Sequence, residues 1–551
     1  MTSTTSFSSR SHSRPKCFLI CILLVSLPFL LFLLFEKQKR VTKTIEMDLK
    51  PRPRPRPTWF DVIAKGLNNK KKIKVGLVNI DAREDGRVYE QLDSLHPQVE
   101  SVFVEFDHVD GNLKWEEIFP TWIDEDRKWG EPKCPNIPMP KLESFEDLNV
   151  VVAKVPCGEK KGVRDVFGLQ VNLVVANLAV RSGWVEKMES NHRNVYVVFV
   201  GSCGPMEEIF RCEDLLTHEQ QHWLYKPDLW TLKHQSLMPL GSCQIAPHYA
   251  KTGKEAWRNL FGEAKLAYVS VLHSSEAYVC GAIALAQSIL QANTTFDLLL
   301  LVDKSIAPQS ITALKAAGWK IQRIKRILSP FAEKDAYNQW NYSKLRLWQL
   351  TSYDKIIFVD SDLLLFDNLD HLFAYPQLSA APNEEVLFNS GLMVIEPSQC
   401  MFQNMMNKIF KVRSYNGGDQ GFLNEIFTWW HRLPTKVNML KCFHGEDGKR
   451  EVPDDVSGIH YLGLKPWMCY RDYDCNWDRH DHHIFASDSA HKKWWQVYDA
   501  MPKELQSYCG LTQKMNDRIV KWRRIARNSS FSDHHWKIKV EDPRRGDYHS
   551  D

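Results

Sequence analysis

The run Ile356-Ile357-Phe358-Val359 passes directly into Asp360-Ser361-Asp362. A short apolar run rich in β-branched residues reads as a strand buried on both faces, as in parallel sheets. Carboxylates left unpaired at the end of such a strand would cost several kcal/mol each to desolvate, so something cationic belongs beside them. Oxygen ligands on a short turn suit a hard divalent ion such as Mn2+ or Mg2+, which can bridge to a diphosphate. A blander reading has Asp360 and Asp362 cap the following turn, and the buried strand weighs against it.

The surroundings of this strand follow a pattern. From about Lys265, Ala267 to Leu272 is a strand, Ala282 to Ala292 a helix, Leu298 to Val302 a strand and Ser310 to Ala317 a helix. Strands alternating with helices predict a mostly parallel α/β sheet, which binds ligands beyond the carboxyl ends of its strands. Upstream, 73–80 and 195–200 also read as buried strands, while 171–180 fits either a strand or a buried helix. We therefore expect an α/β region over 73–260, a catalytic unit over 265–500 and a charged tail over 501–551.

The N-terminus predicts a membrane anchor. Cys17 to Phe35 contains no charged residue and follows Arg10, Arg14 and Lys16. Its length suffices to cross a bilayer, and the flanking charges keep residues 1–16 cytoplasmic. The run is longer than a signal-peptide core and does not end in small residues, which favours a type II anchor over cleavage. Residues 36–72 form a stem in which Pro51 to Pro57, alternating with arginine, favours extended polyproline II. Eleven of the 13 cysteines follow the anchor, so in an oxidising lumen at least one stays unpaired unless a bridge is intermolecular. The sequons at Asn293, Asn341 and Asn528 fit the same compartment. With 71 basic against 67 acidic residues, a nucleic-acid partner is disfavoured.

Downstream, Ile459-His460-Tyr461-Leu462-Gly463-Leu464-Lys465 supplies an imidazole as a third metal ligand, a glycine for close approach to phosphate and a lysine to meet its charge. Cys469, Cys475, His480, His482 and His483 do not have the spacing of a structural zinc site, so disulfide or unpaired residues are expected there. Trp429-Trp430 and Trp494-Trp495 read as core packing, with stacking on sugar rings as the alternative.

Residues from about 266 to 470 resemble glycosyltransferase family 8, the glycogenin-like group. Tyr268 to Leu290, Tyr342 to Leu350, Asp360-Ser361-Asp362, Phe388-Asn389-Ser390-Gly391, Asn416 to Gly421 and His460 to Trp467 match in order. The resemblance implies a GT-A fold and a retaining transferase using Mn2+ and a UDP-sugar. It implies that Asp360, Asp362 and His460 hold the metal and that Gly463 and Lys465 meet the diphosphate. Leu272, Ser274, Ser275 and Tyr278 fall where the family grips uracil and ribose, although Leu272-His273-Ser274-Ser275-Glu276 lacks the amide that family members often carry. Lys344 matches the lysine near the phosphates and sugar, and Asn389, Asp419 and Gln420 match residues lining the sugar site.

Within the family, the anchor and the long upstream region look like the plant glycogenin-like proteins, which resemble glucuronosyltransferases of xylan. That implies UDP-glucuronate as donor, β-1,4-xylan as acceptor and a Golgi membrane location with a lumenal catalytic unit; self-association or a hetero-oligomer stays open. Asp419 as nucleophile is an alternative to front-face departure of UDP, and Arg346 is a candidate partner for the donor carboxylate. A self-glucosylating starch initiator, a lipid-directed glucuronosyltransferase and a silent glycan-binding subunit are the rival functions.

Overall fold

The computed structural model describes residues 34–37, 39 and 58–544, apart from 68–71, 82, 84, 94, 96–97, 131–132, 158–163, 184–192, 247–263, 385, 444–449 and 543. The expected anchor, except for Leu34 and Phe35, and the proline-arginine repeat lie outside the described residues.

Two sheets organise the chain. The first is six-stranded, in the order β2-β1-β3-β4-β6-β5. Its strands are β1 (Ile73–Val78), β2 (Val99–Val104), β3 (Val150–Lys154), β4 (Tyr196–Val200), β5 (Leu215–Glu219) and β6 (His222–Tyr225). β2, β1, β3 and β4 run parallel, and the β5–β6 hairpin adds antiparallel to β4. Period-two alternation sends Val75, Leu77, Val150, Val152 and Val198 toward Trp59, Phe60 and Ile63 of the helix Thr58–Gly66. Val151, Ala153, Val197 and Phe199 belong to the cluster that includes the helix Val166–Gly183.

That helix resolves the ambiguity over 171–180. Among the described residues it is the one helix long and apolar enough to cross a bilayer. It is a core element instead. Its Gln170 side chain accepts from Val109 N and donates to the carbonyls of Asp107 and Pro138, while Asn172 accepts from Met206 N. Buried polar groups satisfied in this way hold the helix inside the protein.

The second sheet has the order β14-β12-β13-β10-β7-β8-β9. It contains β7 (Leu266–Leu272), β8 (Asp297–Val302), β9 (Lys320–Arg323), β10 (Lys355–Val359), β12 (Ser379–Glu384), β13 (Leu387–Ile395) and β14 (His431–Arg432). β9, β8, β7 and β10 are mutually parallel, and β13 returns antiparallel to β10. A three-stranded sheet joins β11 (Leu363–Leu365), β16 (Gly458–His460) and β15 (Met439–Leu440).

The two units are knitted together. The Cys212–Cys400 disulfide joins them, as do the Arg211–Glu396 pair and the Glu208 carboxylate, which accepts from Thr428 and Trp429 N–H groups. Further disulfides are Cys134–Cys243, Cys157–Cys203 and Cys280–Cys509, and among the described residues Cys442, Cys469 and Cys475 take part in no disulfide. The tail folds back on the second unit, where buried Arg544 donates to the carbonyls of Trp467, Cys469 and Cys509. All four tryptophans of the two pairs are core: Trp429, Trp430 and Trp494 are fully buried and Trp495 nearly so. Sugar stacking on them is thereby ruled out.

Candidate active site

Every residue of β10 is buried. At its end Asp360 N donates to Gly391 O on β13 (2.8 Å), and Leu363 N donates to Asp360 O (3.0 Å), closing the turn. The helix Val279–Gln291 presses on this turn so closely that a Cβ at Gly281 would lie 2.4 Å from Ser361 O. β11 then leaves the turn and pairs antiparallel with β16, with Leu363 opposite His460. Tyr461 N donates to Asp362 O (2.9 Å). Backbone register alone thus places an imidazole 98 positions away beside the acidic turn, with His460 Nε2 3.3 Å from Asp362 Oδ1. Ligand atoms of Asp360, Asp362 and His460 all lie within 4.8 Å of one another, the only such group among the described residues.

The orientation of His460 is fixed by a chain of amides. Gly391 N–H donates to Asn389 Oδ1 (2.8 Å), so that atom is an acceptor, and the amide group donating to it (2.9 Å) is Asn438 Nδ2. Asn438 Oδ1 therefore faces His460 Nδ1 (3.2 Å) and marks Nδ1 as the protonated nitrogen. Nε2 is thereby left facing the carboxylates, 3.3 Å from Asp362 Oδ1, the orientation a metal-ligating histidine needs. Gly391 makes room for the ring, since a Cβ there would come within 2.4 Å of His460 Cε1.

Two lysines balance the carboxylates. Lys465 Nζ lies 2.7 Å from Asp362 Oδ2 and also donates to Tyr461 O. Lys344 Nζ lies 2.9 Å from both Asp360 and Asp419. It is a buried bridge between two acids rather than a free cation facing phosphate. Burial opposes the charge on Lys344, but the two carboxylates raise it well above the ordinary lysine range. Burial pushes Asp360 up to about 6 against the pull of Lys344, with Asp362 adding to the rise. Burial also works against ionised Asp362, yet Lys465 and His460 hold it far below the usual carboxylate range. Three acids, Asp360, Asp362 and Asp419, thus face two ammonium groups.

Asp419 is the first residue of the helix Asp419–Ile426 and is almost fully buried. It accepts from Ser390 Oγ (2.8 Å), Lys344 and Asn341 Nδ2 (3.2 Å). The Asn341 amide is therefore part of the site and in use, unlike the exposed Asn293 and Asn528 sequon positions. Gln420 accepts from Ser390 N and donates to Tyr415 Oη. Asn389, Asp419 and Gln420 are brought together around Ser390.

The residues expected to grip the base and ribose divide. Tyr278 packs edge-on to Trp467 and lies beneath Lys465 Nζ, 6.0 Å from its ring. Leu272 ends β7 and is buried. The Ser275 hydroxyl caps the short helix Glu276–Tyr278, accepting from Ala277 N. Ser274 has a left-handed backbone (φ 71°), donates its N–H to Asp303 and accepts from Arg326. Gly463 also has positive φ (72°), and a Cβ there would clash with Asn476 and Phe485, so turn geometry and packing account for this glycine. Arg346, expected near the donor carboxylate, faces elsewhere. It donates to Lys325 O and Gln349 and lies over Phe402. The two-residue offset from Lys344 turns it off that face of the short helix Asn341–Gln349.

Four residues of this region went unnoticed in the sequence. Asn438 sits in a four-residue turn without a motif. Asp303, buried at the end of β8, is paired with Arg326 (3.1 Å), which stacks on Trp340. Asp303 follows a buried strand as Asp360 does, so that signal was present. His273, at the end of β7, is pushed down to about 4 by burial and by Lys344, and is neutral at physiological pH.

Residues 53–243 match the GUX1-5 N-terminal domain, and 270–382 and 376–469 match Glycosyl transferase family 8. The chain is 48% identical to UDP-glucuronate:xylan alpha-glucuronosyltransferase 2 of Arabidopsis thaliana, over 88% of this chain and 82% of the relative. A further Arabidopsis thaliana protein, provisionally assigned to the same group, is 51% identical over 97% of this chain and 98% of its own. The chain belongs to the xylan alpha-glucuronosyltransferase group of glycosyltransferase family 8. Inositol phosphorylceramide glucuronosyltransferase 1 of the same plant is 33% identical over 37% of this chain. Membership in the group therefore rests on both units, since the upstream sheet falls within the first match.

Proposed function

We propose that this protein transfers glucuronate from UDP-glucuronate to a xylan chain in cell-wall synthesis, using a GT-A catalytic unit with retention of configuration and α-1,2 linkage. The observation that carries the reading is the Asp360, Asp362 and His460 triad set between Lys465 and Lys344. The donor and acceptor follow from near full-length similarity to proteins named for them.

The donor set fits a divalent ion. Two carboxylates and an imidazole suit Mn2+, with Mg2+ as the harder alternative. Such an ion, when bound, neutralises the diphosphate of the departing UDP. The chain's own residues do the remainder. Lys465 adds a fixed ammonium on the Asp362 side, and electrostatic stabilisation of that kind is usually the largest catalytic contribution. Lys344 holds Asp360 and Asp419 at a set separation, and Asn438 and Asn389 hold the imidazole. Asp419 has its oxygens engaged by three donors, which favours a positioning role and front-face departure over nucleophilic attack. Tyr278, Leu272, Ser274 and Ser275 are proposed to frame the nucleoside, and Gly463 to border the diphosphate.

Residues 17–35 are proposed as a type II anchor in the Golgi membrane. Four disulfides support an oxidising lumen for the folded part. The decisive experiment incubates the protein with Mn2+, xylo-oligosaccharides and a panel of UDP-sugars and reads product mass. A hexuronate increment from UDP-glucuronate alone is expected. A hexose increment, or none, overturns the reading.

A further inference from the structure

The tryptophans that the sequence offered for sugar stacking are buried, but two others are not. Trp122 is 66% exposed and Trp129 79% exposed, with ring centroids 5.9 Å apart. Tryptophan has the most apolar surface to lose to water, so two neighbouring rings left open call for a partner. They sit on a compact loop. Asp124 Oδ1 accepts from Lys128 N and its Oδ2 from Trp129 N, so both rings are presented by a fixed backbone.

The loop belongs to the upstream unit but is seated on the catalytic one. Glu125 accepts from Thr435 N (2.7 Å) and Thr435 Oγ1 (2.8 Å), and buried Arg432 donates to Pro120 O. Thr435 begins the short helix that ends at Asn438, the residue holding His460. At roughly 2 Å rise per residue in such a helix, the loop's anchor lies about one turn from the residue that positions the metal ligand.

Beside the rings is a cavity of about 360 Å³ bordered by Glu117, Asp124 and Lys133, and Glu117 also borders a neighbouring cavity of about 500 Å³ that runs toward Asp110 and Asn136. They share Glu117 and so border one stretch of surface. Its carboxylates outnumber its one lysine, which disfavours a phosphorylated or otherwise anionic occupant. Carboxylates that accept from hydroxyls, next to aromatic faces that cover the C–H face of a pyranose ring, suit a neutral polysaccharide.

We propose that Trp122 and Trp129 are the acceptor platform: the upstream unit binds an extended, uncharged glycan chain and feeds it toward the triad. The proposal deepens the function proposed above and names the chain as xylan. It gives the upstream unit a task, and it predicts that recognition grows with acceptor length.

The test uses the folded protein with its Trp122→Ala/Trp129→Ala variant. Binding of xylohexaose and xylobiose is followed by isothermal titration, and transfer is followed in parallel. Two stacked rings are expected to be worth about ten- to thirtyfold in affinity for xylohexaose, and under about twofold for xylobiose, which is too short to span platform and site. The acceptor KM should rise by the same factor, with Trp122→Phe/Trp129→Phe restoring most of it. Phe410→Ala, which removes an aromatic 75% exposed elsewhere, should change neither value. Unaltered xylohexaose binding in the double alanine variant overturns the platform whether or not transfer occurs. Loss of binding in that variant, from a protein that transfers no hexuronate, would keep the platform and overturn the proposed function.

Discussion

The two sheets end in crevices of the same topological kind, and among the described residues only one of them gathers a set of metal-ligating side chains. Beyond β1, β2 and β3 lies a cleft of about 580 Å³ bordered by Asn79, Asp81, Asp85, Glu105 and Lys154. Beyond β7 and β10 lies the triad. In the first sheet Asp85 is neutralised by Lys154 (2.5 Å), and the chain leaving β4 returns as the β5–β6 hairpin along the sheet edge. In the second, the chain returns as β16 against β11 and carries His460 to the acidic turn. Parallel sheets make crevices by construction. A ligand set arises only where a later strand crosses the mouth.

The sharpest way to break this contrast is to remove one carboxylate from each crevice. Asp362→Ala should lower kcat/KM for transfer by about 1,000-fold or more, since it takes away a ligand and leaves Lys465 without its partner. Asp81→Ala, in the twin crevice, should stay within about twofold. Comparable losses in a transfer assay would mean that the first crevice is also catalytic.

Asn438→Ala tests the supporting shell. It removes the acceptor that fixes His460 Nδ1 and the donor to Asn389, and should raise the Mn2+ concentration needed for half-maximal activity by about 10- to 100-fold. Titrating Mn2+ at constant UDP reads this directly. Saturating metal should recover most of kcat, whereas a defect that no metal concentration relieves would make Asn438 a structural residue only.

Acidity gives a smaller and graded effect. Burial holds the Asp360 carboxyl up to about 6, so below that pH a proton occupies an oxygen that a cation would need. Metal-dependent UDP affinity should be level above about pH 7 and fall about tenfold per unit below 6. The sign for stability follows from the same shift. A carboxyl whose folded value is raised favours the fold below its ordinary range, and that contribution is lost as pH rises through 6. Mn2+ should consequently raise Tm more at pH 7.5 than at pH 5, and equal shifts in calorimetry would contradict the raised carboxyl.

Much of this was readable in the residues. β10 running into Asp360 and Asp362 revealed both a buried strand and its charge problem, because burial and carboxylate chemistry are local properties. The matched family segments brought in His460, Lys344 and Asp419. What stayed hidden depends on register. Nothing near Asn438 says that its amide meets Asn389 and His460, since that contact exists only once β15, β16 and β13 converge. The tryptophan pairs are core, as their burial tendency predicts, whereas the rings left open, Trp122 and Trp129, are seven residues apart on an irregular loop where no pattern along the chain marks exposure. The helix Val166–Gly183 passed every test for a membrane span except the one that needs coordinates, its satisfied buried polar groups.

Arg346 sets the lower end of the scale. It follows Lys344 by two residues, yet one faces the triad and the other the helix Gln399–Lys408, where its guanidinium lies over Phe402 (5.4 Å) and donates to Gln349 (2.6 Å). A charge in that position contributes to the surface of the second unit and not to the donor pocket. Arg346→Ala should therefore cost stability through lost packing, by about 1 kcal/mol or less, and leave the ratio of kcat/KM for UDP-glucuronate over UDP-glucose within about twofold. A large fall in that ratio would require the helix Asn341–Gln349 to turn when donor binds, and would make the pocket as drawn an open state of the enzyme.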